Sequence, residues 1–271
     1  MQKKPLVSIL IASYNKERYV KRCINSCKIQ TYDNIEIIFY DDGSEDNSYQ
    51  IAKNIKGVKS YKNKKRKKLG KFNTYNQINN YNKAFLKSKG KYILLLDSDD
   101  FFKKNKVKEI VNYFNKNKNC NIVFDLPIYY YSRNKQIHLK KMIKNKNKKD
   151  IWPSFPIAGS CVSFQRKFYK KYRNIINAKN FSMLTLDFRL AVISSSILND
   201  FRLLDKNLTF YFQDKKGETH SKFKKFGKNW WLRRNQAHEF MRKISRKSRI
   251  SFKTKSDYLF TNLLKKMYNF T

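Results

Sequence analysis

The sequence predicts an α/β fold with a mixed, mostly parallel central sheet flanked by helices and a basic helical extension at the carboxyl end. Short apolar runs alternate with helical segments through about the first hundred residues, as in right-handed βαβ units. Three of these runs end in polar turns or carboxylates, where open α/β sheets gather their ligand sites. From Phe223 onward the chain is helical in pattern and strongly basic.

The first unit is a strand, a turn and a helix. Leu6–Ala12 is a compact apolar run that predicts a buried strand. Ser13–Asn15 has turn chemistry, and the apolar residues of Glu17–Gln30 recur at helical spacing.

The second unit repeats this order. Ile35–Tyr40 predicts a strand that ends in the turn Asp41–Ser44. Ser48–Ile55 predicts a short helix closed by Gly57.

The third strand is weak and the fourth is strong. Val58–Tyr61 predicts a weak strand, and Thr74–Lys89 predicts a helix stopped at Gly90. Tyr92–Leu96 is a near-continuous apolar run, as expected for a central parallel strand.

Three carboxylates follow that fourth strand within four positions: Asp97, Asp99 and Asp100. Hard oxygen ligands presented together suit Mg²⁺ or Mn²⁺, which keep some waters and bridge to substrate phosphates. The alternative is a strand-end turn whose polar residues cap the next helix.

The later half is less regular. It predicts a helix, a strand broken by a proline, a second strand, and a loop that enters a helix: Val107–Phe114, Asn121–Tyr131 with Pro127, Gly159–Phe164, and Phe181–Ile197.

Composition narrows the function classes. The 61 Lys and Arg residues against 20 Asp and Glu give a formal charge of +41, which favours nucleic acid, anionic lipid or phosphorylated substrates as partners. No G-x-G-x-x-G follows the first strand and no Walker A sequence occurs, which disfavours dinucleotide oxidoreductases and P-loop ATPases.

The four cysteines form no metal or redox spacing, and no apolar run is long enough to span a membrane. We therefore expect a cytoplasmic protein that meets a membrane only at its surface.

Three segments carry a family resemblance: Val7–Lys16, Tyr40–Ser48 and Gly90–Asp100. In this order and spacing they resemble the nucleotide-sugar-binding half of family 2 glycosyltransferases of the GT-A fold. The resemblance is continuous over about residues 5–115 and then thins to the surroundings of Asp187.

The resemblance implies a glycosyltransferase domain over residues 1–221, with a donor half at about 5–115 and an acceptor half at about 116–221. Residues 222–271 would form the basic helical extension.

In the donor half, the resemblance implies that Ala12 and Tyr14 line the nucleotide base and that Asp42 accepts a hydrogen bond from it. Asn82 occupies a recurrent family position, although Tyr81 stands where a basic residue is often found. Without the resemblance, Tyr14 is equally a core aromatic residue and Asp42 a helix cap. The cation near the base stays open, with Lys62, Lys64 and Lys65 as candidates by location only.

At the carboxylates, the resemblance implies that Asp97 shapes the nucleotide-sugar site, that Asp99 serves the ribose and the metal, and that Asp100 coordinates Mn²⁺ or Mg²⁺. Asp187 resembles the family's catalytic base for the acceptor hydroxyl, although Leu186 replaces the Glu that usually precedes it. The alternative is that Asp187 caps a helix.

Three residues near the carboxyl end are candidates for phosphate or acceptor contacts: His220, Arg233 and Arg234. The neighbouring tryptophans, Trp230 and Trp231, suit either a membrane interface or core packing.

The expected function is inverting transfer of a sugar from a nucleotide-sugar donor, with a UDP-sugar favoured. The acceptor would be a glycan or lipid-linked hydroxyl in bacterial surface polysaccharide or lipooligosaccharide synthesis, at the inner face of the cytoplasmic membrane. One alternative is a sugar nucleotidyltransferase, which would be expected to show a glycine-rich phosphate loop. The other is a nucleic-acid-binding protein, but no recognisable module is present, so no specific nucleic acid is expected.

Overall fold

The computed structural model describes residues 4–131, 137–139, 158–198, 200–213, 222–248 and 255–269. In that part of the chain the strands are β1 Val7–Ser13, β2 Ile35–Asp41, β3 Val58–Lys62, β4 Tyr92–Asp97, β5 Phe101–Phe102, β6 Ile122–Tyr131, β7 Ile137–Leu139, β8 Val162–Gln165 and β9 Leu203–Gln213. The α-helices are α1 Glu17–Lys28, α2 Ser48–Lys53, α3 Thr74–Lys87, α4 Lys106–Lys116, α5 Arg166–Ile176, α6 Leu186–Ser196, α7 Lys228–Ser248 and α8 Lys255–Asn269.

The described strands form one sheet in the order β3-β2-β1-β4-β8-β6-β9-β5, with β7 also paired to β6. The first four strands of this order are parallel. Strand β8 runs antiparallel to both β4 and β6, whereas β9 runs parallel to β6. The parallel pairs have the longest ladders, so the predicted mixed α/β sheet flanked by helices is confirmed.

Alternate side chains of the central strands enter two separate cores, one on each face of the sheet. On β1, Ile9 and Ile11 pack on one face, and Leu10 and Ala12 on the other. This period of two follows from the strand geometry, and burial on both faces explains the near-continuous apolar runs in the sequence. Helices α1 and α4 cover one face, and α3, α5, α6 and α7 cover the other.

The predicted break at Pro127 is wrong. Strand β6 continues from Ile122 to Tyr131, and Pro127 pairs with Thr209 of β9 beside two register shifts. A bulge accommodates a residue that cannot donate a ladder hydrogen bond, which explains why the strand passes through the proline.

Helix α7 shares the core of the sheet. Ala237, Phe240 and Ile244 are fully buried in the cluster that also contains α3, α5 and α6. No helix among the described residues is both long and apolar enough to cross a membrane.

Candidate functional site

The carboxyl ends of β1, β2 and β4 meet at one edge of the sheet. Ser13 is in register with Asp41, and Ala12 is in register with Asp97. The Asp42 N–H donates to the Ser13 carbonyl at 2.9 Å. The three sequence segments that carried the family resemblance are therefore adjacent in space.

Asp41 builds the turn after β2. One of its carboxylate oxygens accepts from the Gly43 N–H at 2.9 Å, and both accept from Ser44, through its N–H and its hydroxyl, each at 2.6 Å. Gly43 has φ +81°, and a Cβ there would lie 2.8 Å from the backbone nitrogen of Arg66. The turn therefore requires glycine, both for its conformation and for the close approach of the 62–73 loop.

Asp42 is buried and its carboxylate faces that same loop. It accepts hydrogen bonds from Asn63 at 2.8 Å and Asn76 at 2.8 Å, and pairs with Arg66 at 3.1 Å. The predicted base acceptor is thus already engaged by side chains of this chain.

Arg66 also covers Tyr14. Its guanidinium carbon lies 3.9 Å from the centre of the Tyr14 ring, a cation–π distance. Lys62 was one of the lysines proposed as the cation near the base, but its ammonium donates to the Ser44 carbonyl at 2.8 Å. Arg66 is therefore the cation between the two predicted base contacts, and only the fold of the loop brings it there.

Helix α3 presents a polar face to Asp97. Gln77 and Tyr81, one helical turn apart, donate to the same Asp97 oxygen at 2.7 and 2.6 Å. Asn82 lies on a neighbouring face, where its side-chain oxygen accepts from Arg173 at 2.8 Å. The structure thus brings Tyr81, and not the side chain of Asn82, to the carboxylate cluster.

The carboxylates after β4 occupy different environments. Asp100 is fully buried, whereas Asp97 and Asp99 are partly exposed. Burial, together with the charge of Asp99, raises the pKa of Asp97 to about 7. Burial and the charges of Asp99 and Asp97 raise the pKa of Asp100 well above its usual range. Asp99 is paired with the Lys16 ammonium at 2.7 Å.

Ser160 links the backbone of Asp97 to the carboxylate of Asp100. Its hydroxyl oxygen accepts from the Asp97 N–H at 2.9 Å, and the hydroxyl donates to Asp100 at 2.5 Å. The other Asp100 oxygen accepts from the Phe212 N–H at 2.8 Å. Asp100 therefore points into the protein, and its two oxygens are engaged by the strands beside it.

A buried ion pair lies under Ser160. The Lys106 ammonium donates to the Ser160 carbonyl at 2.7 Å, to Asp125 at 2.6 Å and to the Thr209 hydroxyl at 2.5 Å. Sequence reasoning missed this network, because Lys106 and Asp125 are ordinary charged residues until the fold excludes water from both side chains.

The carboxylate cluster offers few ligands to a divalent cation. The described residues gather no group of three or more His, Cys, Asp or Glu side chains that could hold a metal. Mg²⁺, however, is usually held by one or two carboxylates together with substrate phosphates and waters. A Cβ at Gly159 would lie 3.2 Å from an Asp97 oxygen, so the glycine keeps space beside that oxygen. Asp97 and the partly exposed Asp99 therefore fit such a cation, whereas Asp100 faces inward.

Asp187 lies in the first turn of α6. Burial raises its pKa, opposed by hydrogen bonds from the Thr185 hydroxyl and the Phe188 N–H and by the charge of Arg233. Its own charge contributes to the raised pKa of Asp97. The structure thus places Asp187 both as a helix-terminal carboxylate and as an electrostatic neighbour of the cluster.

The three candidates near the carboxyl end differ in where they lie and what they contact. Arg233 interacts with Asp187, and burial lowers the pKa of its guanidinium. Arg234 instead pairs with Asp257 at 2.7 Å and joins α7 to α8. His220 lies outside the described residues.

Comparison with known proteins gives one family. The profile described as Glycosyl transferase family 2 matches residues 8–173. An uncharacterised glycosyltransferase of Nostoc sp. is 27% identical over 210 residues, which cover 76% of this chain and 64% of the relative. The Escherichia coli protein named UDP-Glc:alpha-D-GlcNAc-diphosphoundecaprenol beta-1,3-glucosyltransferase is 33% identical over 128 residues, 47% of each chain.

Among solved structures, S. aureus TarS 1-349 in complex with UDP is similar with a TM-score of 0.62. The two chains are 15% identical, and the similarity covers 87% of this chain and 65% of that one. This likeness confirms the GT-A fold. The chain spans less than two thirds of the length of each of these relatives.

Ser160→Ala is expected to lower the free energy of unfolding by about 1–3 kcal/mol, because it leaves the Asp97 N–H and the Asp100 carboxylate without a shared partner. Urea denaturation followed by circular dichroism measures this. Ser163→Ala is the matched control, since that buried hydroxyl has no hydrogen-bond partner among the described residues and its loss should be nearly neutral. Equal stability of the two variants would contradict a supporting role for Ser160.

Proposed function

The chain belongs to glycosyl transferase family 2, and from this we propose that it transfers a sugar, with inversion, from a UDP-sugar to a hydroxyl of a glycan or lipid-linked acceptor. The observation that carries the proposal is the meeting of three strand ends. They bring Tyr14, Asp42 and the carboxylates of Asp97 and Asp99 to one edge of the sheet. We further propose a role in assembling a bacterial surface glycan.

The order of groups along this edge suits a nucleotide diphosphate. The Tyr14 ring and the Asp42 carboxylate would contact the base, and Asp99 would lie toward the ribose and diphosphate. The TarS structure contains UDP, and the E. coli relative is named for UDP-Glc. Both support uracil as the base.

We propose Mn²⁺ or Mg²⁺ as the cofactor, with Asp99 and Asp97 as the carboxylates that would hold it. When bound, the cation would act as a Lewis acid on the diphosphate leaving group. Asp100 was expected to coordinate the metal directly. Its contacts with Ser160 and the Phe212 N–H favour a supporting role in this structure.

Asp187 is the proposed catalytic base. Its carboxylate would take the proton of the acceptor hydroxyl as the acceptor oxygen bonds to the anomeric carbon, while the bond from that carbon to the nucleoside diphosphate breaks. The burial that raises the pKa of Asp187 makes it a better proton acceptor than an exposed aspartate. Leu186, where the family has Glu, is itself buried.

Arg233 of α7 lies beside Asp187, on the proposed acceptor side of the site. A half-buried guanidinium beside the proposed base would suit an anionic acceptor, such as a sugar linked to lipid through a diphosphate. The E. coli relative is named for an acceptor of this kind. We propose that this chain works from the cytoplasmic side, at the surface of the membrane that carries such a lipid.

Donor binding tests the proposal directly. At about 100 times its Kd, UDP is expected to raise the melting temperature by roughly 5 °C with Mn²⁺ present, more than GDP, dTDP or CMP. Asp99→Asn should lose the Mn²⁺-dependent part of this shift and keep the melting temperature of the free protein. Asp33→Asn, which removes an exposed carboxylate paired with Lys4, is the control and should keep the full shift. Absence of a shift with every nucleotide would refute the proposed function.

Asp187→Asn is expected to lower kcat by at least about 100-fold and to leave the UDP-induced shift unchanged, because the amide cannot accept the proton. Asp205→Asn, at an exposed position of β9, is the control. Single-turnover transfer from radiolabelled donor to acceptor measures the rate. Unchanged kcat would mean that Asp187 only caps α6.

Arg66→Ala is expected to bind UDP about three- to tenfold more tightly, because the base must otherwise displace the guanidinium from Tyr14 and Asp42. Isothermal titration calorimetry measures the Kd. The control is Lys65→Ala, an exposed neighbour in the same loop. Weaker binding by Arg66→Ala would show that Arg66 contacts the bound nucleotide instead of covering its site.

A further inference from the structure

Helix α8 is attached to the protein by its polar face. Asp257 pairs with Arg234 at 2.7 Å, and His238 Nε2 lies 2.7 Å from the same carboxylate. One helical turn further on, Thr261 is fully buried. Lys265 then pairs with Glu239 of α7 at 2.8 Å. Ion pairs and a buried hydroxyl, with the Tyr258 ring beside His238 and Arg242, therefore occupy much of the contact with α7 that an amphipathic helix normally makes with apolar residues.

The apolar face of α8 points away from the protein. Leu259, Leu263 and Met267 recur at four-residue intervals and are 64%, 57% and 59% exposed, and Phe260 beside them is 51% exposed. At 100° per residue these four side chains form one stripe along the helix. Solvation of such a stripe is unfavourable, so its exposure indicates a binding surface.

Aromatic side chains extend the stripe onto the start of α7. The ring centres of Phe260 and Trp231 are 5.3 Å apart, and those of Trp231 and Phe226 are 6.1 Å apart. Phe226 is 60% exposed and has φ +64°, a conformation that a bulky residue rarely adopts. The chain therefore accepts backbone strain at the point where it presents an aromatic ring to solvent. We call these six residues the carboxy-terminal apolar surface: Phe226, Trp231, Leu259, Phe260, Leu263 and Met267.

Lysines border this surface. Lys224, Lys225 and Lys228 are exposed around Phe226, and the Lys225 ammonium lies 4.9 Å from the Phe226 ring. Lys266 is exposed on α8 beside the stripe. The acid of the first turn of α8, Asp257, faces α7 and is paired there. The surface thus combines apolar and aromatic side chains with a cationic border, on a chain of net charge +41.

We propose that the carboxy-terminal apolar surface docks on an anionic lipid membrane, with its leucines and Met267 at the acyl boundary and the lysines among the headgroups. Apolar burial and attraction to anionic lipid add in this arrangement, and tryptophan suits the interface. A second copy of the chain is the less suitable occupant, because a symmetric contact would bring two lysine borders together.

The surface also relates to the proposed acceptor side. Trp231 and Arg233 lie within one turn of α7, with Trp231 at the apolar surface and Arg233 beside Asp187. Positions two residues apart are about 200° apart around a helix, so these side chains lie on opposite sides of α7. A membrane under the surface would lie about one helix diameter, roughly 10–12 Å, from the surroundings of the proposed base. This functional link rests on the proposed function, whereas the docking surface itself does not.

Co-sedimentation of the full chain with vesicles tests the proposal. Binding is expected to vesicles of phosphatidylcholine with 30% phosphatidylglycerol and to be weaker with phosphatidylcholine alone. The double variant Leu259→Ser, Leu263→Ser should lower the partition coefficient by about tenfold or more, since two apolar side chains are lost from the interface. Ile29→Ser with Leu86→Ser is the matched control, because it removes two equally exposed apolar side chains elsewhere.

Three outcomes would overturn the proposal. Equal vesicle binding by the double variant and the wild type would mean that net charge alone drives adsorption. A fall in oligomeric mass in the double variant, with vesicle binding unchanged, would mean that a second copy covers the surface. Absence of vesicle binding by the wild type would exclude a membrane outright. The UDP-induced thermal shift, measured on the same variants, reports separately on the proposed function and should be identical in all of them.

Discussion

The carboxylate cluster depends on the buried Lys106–Asp125 pair, from which the fold excludes water. An ammonium group buried without partners would cost several kcal/mol, and this one is offset by Asp125, the Ser160 carbonyl and the Thr209 hydroxyl. These groups come from α4, β6, β9 and the turn before β8. The network therefore fixes four elements around Ser160, whose hydroxyl then positions Asp97 and Asp100. Removal of any one partner would leave a charge or donor buried without compensation.

The cluster in turn divides into an inner and an outer part. Ser160 contacts both inner residues, Asp97 through its N–H and Asp100 through its carboxylate. Both have raised pKa values, because burial and their neighbours' charges disfavour ionisation. The outer carboxylate, Asp99, is paired with Lys16. Anionic phosphates would approach a site whose negative charge is balanced from outside by Lys16, Arg66 and Arg233. When a diphosphate binds, its negative charge adds to that of the carboxylates, and a cation or a proton would have to neutralise the excess. Donor binding would therefore be coupled to ionisation of the carboxylate cluster.

The sequence predicted the elements that depend on local patterns, and it did not predict those that depend on contacts between distant parts of the chain. Strands β1, β2 and β4 could be predicted, because burial on both faces leaves uninterrupted apolar runs and the turn residues mark their ends. Strand β9 could not, since Asp205, Lys206 and Asn207 interrupt its apolar pattern and its partner β6 lies far away in the chain. Arg66 was missed for a similar reason: its role depends on where an irregular loop lies, and no local pattern encodes that. The resemblance implies that Asp100 coordinates the metal directly, whereas one oxygen of its carboxylate is bound by the N–H of Phe212 on β9 and the carboxylate points inward.

Helix α7 shows why the basic carboxy-terminal segment should not be treated as an appendage. One face supplies Ala237, Phe240 and Ile244 to the core that α3 and α6 share. At helical spacing, Arg233 lies on that same face, near Asp187, whereas Arg234 pairs with Asp257 of α8 and Glu239 with Lys265 of α8. One helix therefore contributes to the core, supplies the cationic neighbour of Asp187 and holds α8. Protonation at low pH would weaken the polar contact between α7 and α8. Burial lowers the pKa of His238, and the Asp257 pKa is lowered by its pairing with Arg234 and His238 against the effect of burial. On separation His238 would take up a proton, so the attachment weakens as the pH falls below the ordinary pKa of histidine, and Asp257 adds to this only below the ordinary pKa of aspartate.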